Sequence, residues 1–457
     1  MSPHLSDHVS MNTATICALA TAPGGALGII RISGPQALEI LSCIFSKDLS
    51  KAAPQTIHYG HIVEPDAVAQ HQQVVDEVLV SVFRSPHSYT GEDSAEISCH
   101  GSRYILNKVL ELLVRNGCRM AQPGEFTMRA YLNGKMDLSQ AEAVADLIAS
   151  SNKATHDIAM SQLRGHFSSE LALLREQLLK LTSLLELELD FSDHEDLEFA
   201  DRTELLELAQ KIEAHITHLS RTFETGNALK NGIPVAIIGA PNVGKSTLLN
   251  ALIGEERAIV SDIQGTTRDA IEDTIQLDGV TFRFIDTAGI RHTEDQIESL
   301  GIERSLAAAR RARIIIMMTE PGVPYPDIPT NDDQTVIRIE NKTDLNTMCS
   351  DSATATTLFI SAKFGVGLDN LRHRLIDAAP KTSATDVIIT NARHYDALLR
   401  ANENIQRVIN GLQAQLSGDL LSEDLHQAID TLAEITGGQI TPQETLNNIF
   451  SNFCVGK

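Results

Sequence analysis

The spacing of apolar residues changes twice along this chain. Near the start, the runs 14–20, 28–32 and 77–83 read as strands with short helical patterns between them, which predicts an α+β domain over residues 1–135. From about residue 136 the period becomes helical. Leu171, Leu174, Leu178, Leu181 and Leu185 step by three and four and paint one apolar stripe on a long helix, the signature of bundle packing. This pattern is expected to run to about Phe223, with Gly226, Gly232 and Pro234 punctuating a linker. Between 233 and about 380 strands and helices alternate, as in a parallel α/β sheet, and helices return after about 385. The expected fold class is α/β and α+β multidomain, with a discontinuous helical domain (136–228 and 383–457) split by an inserted α/β domain (229–382).

The bulk properties narrow the class. A chain of 457 residues is too long for one core. Its hydrophobic content of 42 % and charged content of 21 % are ordinary for a globular protein. No apolar run approaches the ~18 residues of a membrane helix. No Lys or Arg precedes Arg31, so a secretory signal is not expected and the cytoplasm is. Met11 is an alternative start, and residues 1–10 read as a tail. The six cysteines, at 17, 43, 99, 118, 349 and 454, form no C-x-x-C pair, so neither a zinc site nor a disulfide framework is indicated. A formal net charge of −23 argues against broad charge-driven wrapping of nucleic acid.

The chemistry sits in the α/β segment. The strand Val235 to Ile238 runs into Gly239-Ala-Pro-Asn242-Val243-Gly244-Lys245-Ser246-Thr247, followed by the apolar helix Leu248 to Ile253. This is G-x-x-x-x-G-K-[ST] in its proper context: backbone N–H groups curl around phosphate, Lys245 reaches the β- and γ-phosphates, and Ser246 offers a hydroxyl to Mg²⁺. Gly265-Thr266-Thr267-Arg268-Asp269 lies where a first switch belongs, with Thr267 as the second Mg²⁺ hydroxyl. The strand Phe282 to Ile285 delivers Asp286-Thr287-Ala288-Gly289, in which Asp286 would hold the metal through water and the Gly289 N–H would meet the γ-phosphate. Val336 to Ile339 leads to Asn341-Lys342-Thr343-Asp344, whose Asp344 carboxylate accepts from two guanine N–H groups that adenine lacks. Phe359-Ile360 leads to Ser361-Ala362-Lys363, whose backbone donates to guanine O6. The order of these motifs on strand ends points to a GTPase, with ATP as the competing nucleotide. Ile290 stands where Ras-type enzymes carry a water-orienting glutamine, and it cannot bond water; Glu294, Asp295 and Glu298 are the acids downstream.

Taken together, the chain resembles the tRNA-modification GTPase family MnmE, also called TrmE. The resemblance runs from about Ala14 to the last residue. It rests on Gly28-Ile-Ile-Arg31-Ile-Ser-Gly34, Tyr89-Thr-Gly-Glu-Asp93, Pro123-Gly-Glu-Phe126, Leu132-Asn-Gly-Lys135-Met-Asp-Leu138, Gln140-Ala-Glu-Ala143, the nucleotide motifs and Phe453-Cys454-Val455-Gly456-Lys457. It implies a folate-binding-like N-terminal domain that also dimerises, and a Ras-like P-loop G domain. It further implies joint action with an FAD-dependent partner (MnmG, or GidA), in a heterotetramer or larger complex. The reaction implied is modification at C5 of the wobble uridine (U34) of tRNA to an aminomethyl or carboxymethylaminomethyl type, with 5-formyl- or methylene-tetrahydrofolate as one-carbon donor. By the same likeness Arg31, Glu96, Lys135 and Lys457 map to folate contacts, Asn242, Ser261, Ile263 and Thr266 to K⁺ ligands, and Glu298 to the water-orienting acid. A carboxylate such as Glu96 suits the paired N–H donors of a pterin, and Arg31 or Lys135 suits the glutamate tail. Ser261 replaces a common Thr, the tail reads Cys-Val-Gly-Lys instead of Cys-Ile-Gly-Lys, and the link from Asp344 to Ser361 is short. Cys454 has the outline of a prenylation box that Gly456 and Lys457 fit poorly. The competing reading is a GTPase switch in ribosome assembly, which usually carries a basic RNA-binding appendage. Residues 381–457 hold five Lys or Arg against nine Asp or Glu, which disfavours it.

Overall fold

The computed structural model describes residues 14–65, 72–190, 202–255, 273–285, 306–345, 357–381, 386–438, 443–451, 453, 454 and 456. The N-terminal region contains β1 (Ile16–Leu19), β2 (Leu27–Ser33), α1 (Ala37–Ile44), β3 (Thr56–Pro65), β4 (Gln72–Phe83), β5 (Ser94–His100), α2 (Arg103–Arg115), β6 (Arg119–Met120) and α3 (Glu125–Leu132). Its six strands form one sheet in the order β3-β4-β5-β2-β1-β6. All neighbours are antiparallel except β1 and β6. Alternation along β4 and β5 sends Val78, Val80, Val82, Ala95 and Ile97 into a core shared with Leu41 and Ile44 of α1 and Leu106 and Leu113 of α2.

Helices follow: α4 (Leu138–Ala149), α5 (Lys153–Leu163), α6 (His166–Asp190) and α7 (Arg202–Asn231). The predicted leucine stripe lies on α6, and Leu174, Leu178, Leu181 and Leu185 are fully buried. Burial of each such side chain contributes about 1.5–3 kcal/mol before entropy is counted. The linker expected from Gly226 is not there, because α7 continues to Asn231. Gly226 serves a close crossing: a Cβ at this position would sit 2.0 Å from the Ile389 carbonyl oxygen. A glycine read as punctuation is here a packing residue.

The second sheet comprises β7 (Ile233–Gly239), β8 (Asp273–Leu277), β9 (Val280–Phe284), β10 (Ile314–Thr319), β11 (Thr335–Glu340) and β12 (Thr357–Phe359), with α8 (Lys245–Glu255) and α9 (Leu368–Ala378). Its order is β12-β11-β10-β7-β9-β8, parallel throughout except for β8. β10 is buried along its whole length, as a central strand covered on both faces must be. The last helices are α10 (Ala392–Gln413), α11 (Gly418–Thr436) and α12 (Gln443–Ser451). α10 packs along α7, where Phe223 stacks on Tyr395 at 4.4 Å between centroids.

The chain forms two compact units. One holds residues 1–148, 162–172 and 430–457, and the other holds 149–161 and 173–429. Both are discontinuous in sequence. No helix among the described residues is long and apolar enough to cross a membrane.

Candidate functional site

In the second unit, the phosphate-binding motif bridges the C-terminal end of β7 and the start of α8, where ligands of parallel α/β sheets bind. Asn242 (φ 62°) and Gly244 (φ 100°) both adopt left-handed backbone. Gly244 has no alternative, because a Cβ there would lie 2.3 Å from Asn341 Nδ2. Lys245 Nζ donates to the carbonyls of Gly239 at 2.8 Å and Ala240 at 2.9 Å. Burial holds its pKa below the usual lysine value, so the ammonium is short of solvation and primed for an anionic ligand.

Asn341 is almost completely buried and joins three segments. Its Nδ2 donates to Val243 O at 2.8 Å, its Oδ1 accepts from Ala362 N at 2.9 Å, and its own N–H donates to Thr319 O at 2.9 Å. Nearby, the Ser361 hydroxyl donates to Asp344 Oδ1 at 2.6 Å, fixing the plane of that carboxylate. The structure therefore brings together Asn242, Val243, Gly244, Lys245, Asn341, Asp344, Ser361 and Ala362. Lys342, with φ 64°, pairs with Glu320 Oε1 at 2.5 Å. Glu320 directly follows β10 and lies outside every nucleotide motif. Lys363 Nζ lies 5.3 Å from the Phe364 ring centroid. Residues 261–267, 286–290, 294, 295 and 298 lie outside the described residues, as does Lys457.

The first unit holds the second cluster. Register pairs Arg31 of β2 with Glu96 of β5, and Arg31 Nε and Nη2 donate to Glu96 Oε1 at 3.0 and 2.7 Å. Arg31 Nη1 donates to Gly456 O at 3.1 Å. The guanidinium lies 5.5 Å from the Tyr89 ring centroid and 5.6 Å from that of Phe126. Tyr89 lies in the loop between β4 and β5 and Phe126 in the first turn of α3, and the tertiary fold brings both rings beside Arg31 of β2. Arg31 and Glu96, both mapped by the resemblance to folate contacts, bond directly to each other. Lys135 Nζ donates to Pro86 O at 2.9 Å. The tail is anchored by Phe450 and Phe453, which pack with Leu138, Ala141 and Leu446. Gly456 (φ 92°) seats so closely on β1 that a Cβ would meet Leu19 O at 2.4 Å. Cys454 is exposed, and its carbonyl accepts from Gly124 N at 3.4 Å.

Behind this cluster is a buried ion network whose two acids lie in the motifs of the resemblance and whose two arginines lie in none. Arg129 is 1 % exposed and donates to Glu92 Oε2 at 3.1 Å, Glu125 Oε1 at 3.0 Å and Ala14 O at 2.8 Å. Arg119 adds bonds of 2.6 and 2.9 Å to Glu125. Burial alone would raise the Glu125 pKa, but Arg119, Gln122 N–H and Arg129 together pull it below the usual value.

Comparison with known proteins decides the family. Residues 15–135 match the family described as GTP-binding protein TrmE N-terminus, and residues 138–454 match the family described as MnmE helical domain. The chain is 54 % identical to the tRNA modification GTPase MnmE of Phocaeicola vulgatus, covering 98 % of this chain and 99 % of the relative. It is 53 % identical to that of Bacteroides fragilis strain ATCC 25285, covering 98 % and 100 %. This chain belongs to the MnmE family. The two clusters thus sit in an MnmE-type chain: the nucleotide motifs in the second unit, and the Arg31–Glu96 pair with the tail in the first. Among the described residues no group of three or more His, Cys, Asp or Glu is placed to hold a metal ion.

Proposed function

We propose that this chain binds and hydrolyses GTP and acts in the modification of tRNA. The observation that carries the reading is the knot at Asn341, which holds the phosphate loop and the two guanine-reading loops in one fixed relation. Only a nucleotide touches phosphate and base motifs at once. Asp344, oriented by Ser361, accepts from the paired N–H groups of guanine, and Lys245 exchanges its two carbonyl partners for phosphate oxygens. Asn242, Val243, Gly244, Lys245, Ser246 and Thr247 cradle the phosphates, and Asp262, Gln264, Gly265, Thr287 and Ala288 complete the contact set. Ser246 and Thr267 are the Mg²⁺ ligands, and Asn242, Ser261, Ile263 and Thr266 the K⁺ ligands. When bound, these cations offset charge on the transferring phosphoryl group. Glu298 orients the attacking water.

The same reading extends to the first unit. The free oxygen of Glu96 receives pterin N–H donors, and Arg31, beside the Tyr89 and Phe126 rings, holds that carboxylate and the tail in place. Lys135 and Lys457 supply cations for the glutamate end of a tetrahydrofolate. Exposed Leu27, Ile57, Tyr59 and Leu79 on the first sheet offer apolar surface for a homodimer. The domain limits 1–135, 136–228, 229–382 and 383–457, a cytoplasmic location, the FAD-dependent partner and the C5 chemistry at the wobble uridine belong to this proposal. The test is GTP turnover by the purified chain, together with nucleoside analysis of tRNA from a deletion strain carrying either the wild-type gene or Asp344→Asn. Loss of one wobble-uridine modification in the deletion, restored by the wild type alone, is the expected result. An unchanged nucleoside profile rejects the tRNA reading.

A further inference from the structure

The β8–β9 hairpin connects the segment that ends in Thr267-Arg268 to the segment that begins with Asp286. Leu277 pairs with Val280, so Asp278 and Gly279 form a two-residue turn, and both have positive φ (46° and 75°), as a type I′ turn requires. At one end the hairpin is bonded to the strand carrying the phosphate loop: Ile233 pairs with Phe282, Val235 with Phe284, and Ile285 N donates to Val235 O at 3.0 Å.

Its other end is held by the N-terminus of α5. Ala154 N donates to Gly279 O at 3.1 Å, so one of the orphan donors of the first helical turn is satisfied by the hairpin tip. The Lys153 Cβ comes so near that a side chain on Gly279 would meet it at 2.9 Å. Asn152, 8 % exposed, does two things with one carboxamide. Its Oδ1 accepts from Thr155 N at 2.9 Å, capping the helix, and its Nδ2 donates to Thr281 Oγ1 at 2.8 Å. A serine or threonine would cap α5 equally well but is too short to reach Thr281. The longer amide is explained by the second bond.

We infer that Asn152 is a positioning residue for GTP hydrolysis: through Thr281 it fixes the β8–β9 hairpin, and hence the setting of the chain that enters at Asp273 and leaves through Ile285 into Asp286. The inference rests on the GTPase reading above. Asn152 lies 129 residues from Thr281 in sequence and outside every nucleotide motif, so it acts on turnover through backbone placement, without touching the nucleotide. The phosphate-loop and guanine-reading residues 239–247, 341–344 and 361–363 lie outside the hairpin, whereas Thr267 and Asp286, proposed for the metal-assisted step, flank it in sequence. The tether therefore governs kcat and leaves KM for GTP unchanged.

The test compares the full-length wild type with Asn152→Ser, which keeps the cap, Thr281→Val, which removes the acceptor, the double variant, and Thr281→Ser, which keeps the hydroxyl. Loss of one buried hydrogen bond should lower kcat about fivefold in each of Asn152→Ser and Thr281→Val. The double variant should fall no further, and Thr281→Ser should keep the wild-type rate. Amide hydrogen exchange across residues 273–285 should quicken in the two impaired variants. Wild-type kcat in both single variants, additive losses, or a fall explained wholly by unfolded protein overturns the inference. A wild type that does not turn over GTP rejects the GTPase reading instead. Hydrogen exchange then decides the tether alone: faster exchange upholds it, and unchanged exchange overturns it.

Discussion

The side-chain amide of Asn341 donates to the carbonyl of Val243 at 2.8 Å, so a base-side loop physically holds the phosphate loop. Asn341→Ala leaves Val243 O and Ala362 N without these partners in a buried place. GTP and GDP affinities should both fall by about tenfold or more, measured by titration calorimetry. Wild-type affinity for both would mean that the loops keep their places without this link.

Asp344→Asn should exchange guanine for xanthine preference, because an amide cannot accept both guanine N–H groups. Competition binding among GTP, XTP and ATP reads this directly. Undiminished GTP affinity would remove Asp344 from base recognition.

Hydrolysis should depend on potassium, because Ile290 cannot orient water and the cation must offset phosphoryl charge. Turnover is compared in KCl and NaCl at equal ionic strength, where equal rates would exclude a specific K⁺ site. Glu298→Ala should lose most of its turnover, and a wild-type rate would take this acid out of the reaction.

Deleting residues 454–457 removes the Gly456 carbonyl from Arg31 and the cation of Lys457. Tetrahydrofolate affinity and tRNA modification should drop, while GTP binding stays intact because its contacts lie in residues 239–363. Arg31→Ala should weaken folate binding by about tenfold or more, since a charge-assisted bond to Glu96 is lost. Calorimetry that finds equal folate affinities would reject both the tail and Arg31 as parts of that site.

Acid should destabilise the first unit through Glu125. Its pKa is depressed in the folded state, so its contribution is complete above the ordinary carboxylate range and is lost as pH falls through the depressed value. Glu125→Gln should flatten this acid limb in urea titrations followed by circular dichroism. At neutral pH it should cost about 3–5 kcal/mol, because Arg129 keeps its charge in a buried place with one partner fewer. An unaltered pH dependence would show that the pair carries no net stability.

The sequence alone determined what local order can encode. Period-two spacing marked the strand at 77–83 and period-3.6 spacing the leucine stripe of α6, because burial on one face imposes that period wherever the element lies. The nucleotide motifs were legible because a phosphate loop needs glycines, a lysine and a hydroxyl at fixed separations on one strand–helix junction. Tertiary structure decided whatever depends on register between distant strands. Arg31 and Glu96, 65 residues apart, meet because β2 and β5 pair in one alignment, and a slip of one residue would put them on opposite faces. Arg129 gave no sign of burial, since arginine is normally exposed, and Glu92, Glu125 and the Ala14 carbonyl offset the cost of its interior position. Gly226 looked like a break and is a close crossing, and Asn152, in no motif, reaches Thr281. In each case the partner lies far along the chain, and no local pattern carries its position.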